Sequence, residues 1–89
     1  MNADHDDLTR LAVRVKQSHE EELLTKANVL GVGVGLRQRR GLRGEQVALV
    51  VLVRRKLPVA QLAPDDVIPS EIDGVPVDVQ EVGKIVAEG

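Results

Sequence analysis

Val29-Leu30-Gly31-Val32-Gly33-Val34-Gly35-Leu36 alternates apolar residue and glycine from Leu30 onward. Successive side chains of a strand point to opposite faces. As a strand, the stretch places Leu30, Val32, Val34 and Leu36 on one face and leaves the other bare at Gly31, Gly33 and Gly35. A face without side chains admits close approach of a neighbouring backbone. The glycines are therefore expected to be essential for packing, and Gly33→Val is expected to damage folding or assembly.

A nucleotide-binding reading of the same glycines fails on spacing. The dinucleotide fingerprint Gly-x-Gly-x-x-Gly lies between a strand and a helix. Here its third glycine would be Leu36, and a second strand follows. No Gly-Lys-Ser/Thr is present for a phosphate loop. No cofactor is expected.

Outward from the glycine strand, Gln38 to Gly44 reads as a loop and Glu45 to Arg55 as the second strand of an antiparallel hairpin. The expected register sets Gly33 opposite Leu49, Val32 beside Val50 and Leu30 beside Leu52. Val47, Leu49 and Val51 then cover the glycine face. The second strand is apolar on both sides, with Val47, Leu49, Val51 and Val53 on one and Ala48, Val50 and Leu52 on the other. A sheet with water on one side alternates polar and apolar residues instead. Both faces therefore need a cover. The expected interface residues are Gly31, Gly33, Gly35, Val47, Ala48, Leu49, Val50, Val51 and Leu52.

Residues 7–27 read as one amphipathic helix, with Leu8, Leu11, Ala12, Val15, His19 and Leu23 on a single stripe. Asp4, Asp6 and Asp7 suit its start, and Asn28 can adopt the left-handed conformation that ends a helix. This helix can cover one face of the hairpin. His19 reads as a half-buried helix histidine with one hydrogen bond. His5 is the only other histidine and there is no cysteine, too few ligands for a closed zinc site.

Beyond the hairpin, Leu57-Pro58 ends the strand and residues 59–63 suit a short helix. Asp73-Gly74 is a tight-turn pair. Residues 75–82 form a later strand, with Val75, Val77 and Val79 facing in. Pro76, lacking an amide donor, favours an edge. Residues 83–89 read as an extension of that strand or a tail.

The chain has 89 residues, no cysteine and no Phe, Tyr or Trp. It can form one domain, 1–89, with residues 1–6 as a tail, 7–27 as helix, 28–83 as the sheet-containing core and 84–89 as a second tail. Disulfides are excluded, and the core has no aromatic to bury. A domain this small usually needs a staple, and self-association remains as one. The polar, acidic start does not read as a signal peptide, and no apolar run has transmembrane length. The expected location is the cytoplasm, with no membrane partner.

Residues 37–56 carry seven basic residues against Glu45, a net +6, and residues 57–89 carry Lys84 against seven acids, a net −6. Such segregation fits nucleic-acid contact or charge matching between copies. Arg37, Arg39, Arg40 and Arg43 would be the contacts to a nucleic acid or an acidic partner. Gly41-Leu42-Arg43-Gly44 matches the Gly-x-x-Gly of KH domains, but there the loop joins helices. Arg54, Arg55 and Lys56 fall roughly 27 Å from the hairpin tip at 3.4 Å per residue. Single-strand binding also leans on aromatic stacking. Asp65-Asp66 reads as loop or cap chemistry and Glu20-Glu21-Glu22 as a solvated helix face. Neither forms a tuned acid–base pair.

Asn28 to Gly35, Val50 to Pro58, Ile68-Pro69 and Ile72 to Val79 together resemble a small bacterial α+β domain found ahead of trypsin-like serine peptidase domains in uncharacterised proteins. The resemblance covers residues 28–83. It implies an accessory module and carries over no catalytic residue. Ser18 and His19 are sequence neighbours on different sides of a helix, and Ser70 has no evident histidine, so no triad is legible.

The expected fold is α+β, a long N-terminal helix on a small sheet made of a β-hairpin and a later strand, with a short helix or turn between them. The expected function is that of a non-catalytic interaction or self-assembly module, homo-oligomerising through the second apolar face. Nucleic-acid binding through the loop 37–43 is the alternative. A second copy is the first expected partner, with a trypsin-like peptidase or another protein next and nucleic acid after them.

Overall fold

The computed structural model describes residues 3–39 and 42–82. The fold is α+β: helix α1 (Ala3–Leu24) packs on a four-stranded mixed sheet of β1 (Val29–Arg39), β2 (Leu42–Val53), β3 (Glu71–Ile72) and β4 (Val75–Glu81), in the order β1-β2-β4-β3. Two 3-10 turns, Val59–Gln61 and Pro64–Asp66, lie between β2 and β3.

Helix α1 begins inside the expected tail and ends before residue 27. Its last carbonyls are closed by Thr25, whose hydroxyl donates to Glu22 O at 2.6 Å, and by the Lys26 amide on Leu23 O at 3.1 Å. The chain then reverses at Asn28, whose φ of 77° is left-handed. Ala12, Val15 and Leu23 are buried in the core. Leu8, expected on the same stripe, is 48% exposed.

The hairpin register differs by one residue from the expected one. Gly33 pairs with Val50, Val32 with Val51, Val34 with Leu49, Gly35 with Ala48 and Leu36 with Val47. Side chains directly opposite share a face. The glycines therefore lie with Ala48, Val50 and Leu52, while Val32, Val34 and Leu36 lie with Val47, Leu49 and Val51. A shift in register between Val29 and Gly31 takes Leu30 out of the ladder. Leu30 is not on the covered stripe but 48% exposed.

Helix α1 takes the face that has side chains to offer. Ala12, Val15 and Leu23 join Val47, Leu49, Val51 and Val53 in one buried cluster, with Val32, Val34 and Leu36 against it. A helix on the glycine face would leave those strand residues in water. Val47, Leu49 and Val51, expected at an interface, are buried under α1 and leave no surface for a partner.

The strands also run past the expected loop: Gln38 pairs with Arg43 and Arg39 with Leu42, and residues 40–41 lie outside the described residues. Strand β4 runs parallel to β2, with Leu49 beside Val77 and Val51 beside Val79. Its alternation puts Val75 and Val77 in the core and Asp78 and Gln80 on the other face. Pro76 precedes this ladder and faces Glu71 of β3. Asp73 and Gly74 form the two-residue turn between β3 and β4, both with positive φ (51° and 85°), as hairpin turns of that length prefer.

Candidate functional site

The sheet face turned away from α1 is the candidate site. Among the described residues no element lies across it. Its floor is Gly31, Gly33 and Gly35, its walls are Val50 and Leu52 from β2, and Gln80 closes one end, around a shallow groove of about 500 Å³. Ala48 is fully buried on this side, whereas Val50 and Leu52 remain half-buried. The Gln80 amide donates to Asp78 Oδ2 at 2.9 Å, which gives the groove a polar rim at β4.

The glycines meet less inside the single chain than the sequence implies. A Cβ built at Gly31 would meet Leu52 Cδ1 at 3.6 Å and one at Gly35 would meet Val50 Cγ2 at 3.4 Å, both ordinary contacts. One at Gly33 would meet nothing within 4 Å. None of the three has a positive φ. A Cβ at Gly33 thus has room within the copy, and the close packing expected at that position is not seen there.

The arginines expected to contact nucleic acid divide along the hairpin. Arg37 is half-buried, and its Nη1 donates to Gln46 Oε1 at 3.1 Å. Arg39 and Arg43 pair through the backbone with Leu42 and Gln38 at the hairpin end. Arg40 lies outside the described residues.

His19 joins α1 to the β3–β4 turn. Its Nε2 lies 3.0 Å from Asp73 Oδ2, and its Nδ1 lies 3.6 Å from Glu22 Oε1. The hydrogen bond to Asp73 raises its pKa above the ordinary 6.5, with Glu22 adding to the rise and desolvation opposing it. Among the described residues no group of three His, Cys, Asp or Glu side chains could hold a metal ion.

Asn28 and Asp66 were legible only as turn residues, yet both tie distant segments together. The Asn28 side chain donates to Arg55 O through Nδ2 and accepts the Arg55 amide at Oδ1, 3.2 Å away. The Asp66 carboxylate accepts the Ala27 amide at 2.9 Å, and Lys26 Nζ donates to Asp65 O at 2.6 Å. These bonds fix the helix–strand corner against the 3-10 turns. Beside it lies a cavity of about 220 Å³, lined by Val53, Leu62, Ile68 and Val79.

The chain matches the family model described as the NARROW LEAF 1 N-terminal domain over residues 7–82 and belongs to that family. The match overturns the resemblance drawn from the residues alone. The pattern over 28–83 is no evidence for a small bacterial domain ahead of a trypsin-like serine peptidase, and the ground for expecting such a peptidase as a partner goes with it. No curated protein sequence matches the chain. No helix among the described residues is long and apolar enough to cross a membrane.

Proposed function

We propose that the chain is a non-catalytic interaction module that self-associates through the sheet face opposite α1. Gly31, Gly33, Gly35, Val50 and Leu52 form the contact, and Ala48, fully buried, offers it no surface. The observation that carries this reading is the combination of an apolar, open face with a glycine floor that the chain's own packing does not require. A small core without disulfide or aromatic gains from covering such a face. The two readings of the hairpin arginines weigh less, because Arg37 is engaged with Gln46. The cytoplasm is the compartment this reading assigns.

The contact is of limited size. About seven residues at 3.4 Å and three strands at 4.8 Å span roughly 340 Å², well under the ~800 Å² per partner of a standard interface. Face contact alone thus belongs to the weak, concentration-dependent class. Sedimentation over a wide concentration range tests it, with reversible association expected. A protein that stays monomeric at millimolar concentration refutes it.

A further inference from the structure

We infer that the free edge of β1 pairs with β1 of a second copy, antiparallel and with Val34 opposite its own counterpart, joining two four-stranded sheets into one of eight strands. The inference rests on the reading that the chain self-associates, and it concerns a different surface, the edge rather than the face.

Backbone directions identify the groups at that edge. The Val53 carbonyl accepts the Val82 amide at 2.9 Å and so points toward β4, whereas the Arg54 amide donates to Asn28 O at 2.9 Å on the β1 side. Directions alternate along a strand. Leu52, Val50 and Ala48 therefore address β1, and their partners Gly31, Gly33 and Gly35 return those bonds. The N–H and C=O groups of Val32, Val34 and Leu36 are left pointing outward. Among the described residues no strand lies beyond β1.

Native edges are usually blunted by charge, proline or bulges that twist them away. From Leu30 to Leu36 this edge has neither charge nor proline, and its two register shifts fall at 29–31 and 36–38, bracketing the straight part. The outward groups are self-complementary about Val34. Val32 would exchange bonds with Leu36 of the other copy, Val34 with Val34 and Leu36 with Val32. Between them Gly33 would face Gly35 in the non-hydrogen-bonded position, where Cα atoms come within about 4.5 Å and absent side chains ease the approach.

Charge selects the antiparallel arrangement. Parallel pairing would set Arg37 beside Arg37 and Arg39 beside Arg39. Antiparallel pairing about Val34 sets Arg37 opposite Gly31, with the two Arg37 backbones roughly 20 Å apart at 3.4 Å per residue, beyond the ~8 Å screening length of physiological salt. A twofold axis normal to the sheet also puts both helices on one side and merges the two glycine floors into a single face.

Amide exchange on the full chain tests the pairing. Exchange at Val32, Val34 and Leu36 should be fast in dilute protein and slow at least tenfold as association proceeds, while Gly33 and Gly35 stay protected throughout. Because the sequence has no cysteine, a second measurement is clean. Copies bearing Gly33→Cys mixed with copies bearing Gly35→Cys should crosslink on oxidation, and neither variant alone should. Association without slowing at 32, 34 and 36 and without the mixed crosslink overturns the edge pairing and leaves self-association standing. A protein that never associates overturns both.

Discussion

Replacing Gly33 by valine separates what the glycine strand does for the single copy from what it does for a partner. In one copy a Cβ at 33 enters open space, and the position needs no positive φ. A strand glycine is less stable than alanine by roughly 0.5–1 kcal/mol through lost backbone entropy. A side chain at 33 would lie beside Val50 on the same face, a cross-strand pair adding roughly 0.2–1 kcal/mol. Gly33→Val should therefore stabilise dilute monomer by about 1 kcal/mol, which is about 4–8 °C in Tm for a domain of this size. The same isopropyl group stands in the groove that a second copy would fill, and association through the face should weaken at least tenfold. Urea unfolding below the association range gives the first number, and sedimentation above it gives the second. A variant less stable than the parent in dilute solution would refute the open floor. One that is more stable and associates like the parent would refute contact through the face.

Three further substitutions probe the frame that holds this face. Leu49 is fully buried, and Leu49→Ala should lose about 2–5 kcal/mol, a large part of the total stability of a domain this size, visible as a collapsed urea midpoint; an unchanged midpoint would contradict the assignment of 47, 49 and 51 to the core. Asn28→Gly keeps the left-handed φ and loses the bonds to Arg55, whereas Asn28→Ala loses both, so the alanine variant should be the less stable by about 1 kcal/mol; equal unfolding midpoints would show that φ contributes nothing there. The raised pKa of His19 means the folded state holds that proton more tightly than the unfolded chain. Its stabilisation is complete below pH 6.5 and is lost as pH rises through the raised folded value. Stability measured from pH 5.5 to 8.5 should fall across that window in the parent and lose that slope in His19→Gln, and superimposable profiles would sever the link between α1 and Asp73.

Elements with one-sided patterns were legible in the sequence. The α1 stripe placed Ala12, Val15 and Leu23, and the alternation Val75, Val77, Val79 against Asp78 and Gln80 placed the two faces of β4. Asp73-Gly74 announced its turn because positive φ at both positions admits few other residues. The corner built by Asn28, Asp66 and Arg55 was not legible. It joins residues 27 to 39 positions apart by side-chain bonds to backbone, and no local pattern encodes such distant partners. Strand β3 is two residues long, too short to show a period.

The register of β1 against β2 had the weakest signal and the largest consequence. Strand β2 is apolar on both faces, so sliding it by one residue exchanges Val47, Leu49, Val51 and Val53 for Ala48, Val50 and Leu52 without exposing a polar group to the core. Periodicity cannot choose between two apolar sets. Volume can: the helix face takes the bulkier set of β2 together with Val32, Val34 and Leu36, while Ala48 falls beside Gly35. Strand β4 offers a second discriminator, because Val77 and Val79 lie beside Leu49 and Val51, and Asp78 beside Val50. The opposite choice would bring Asp78 under α1, where burying a carboxylate among apolar side chains is strongly disfavoured. Once β4 fixes the face, the glycines are forced to the outside. Their absent side chains then create no cavity in the core, and their entropic disadvantage has no return within one copy. On the proposed self-association, a second chain laid against that floor would supply the return.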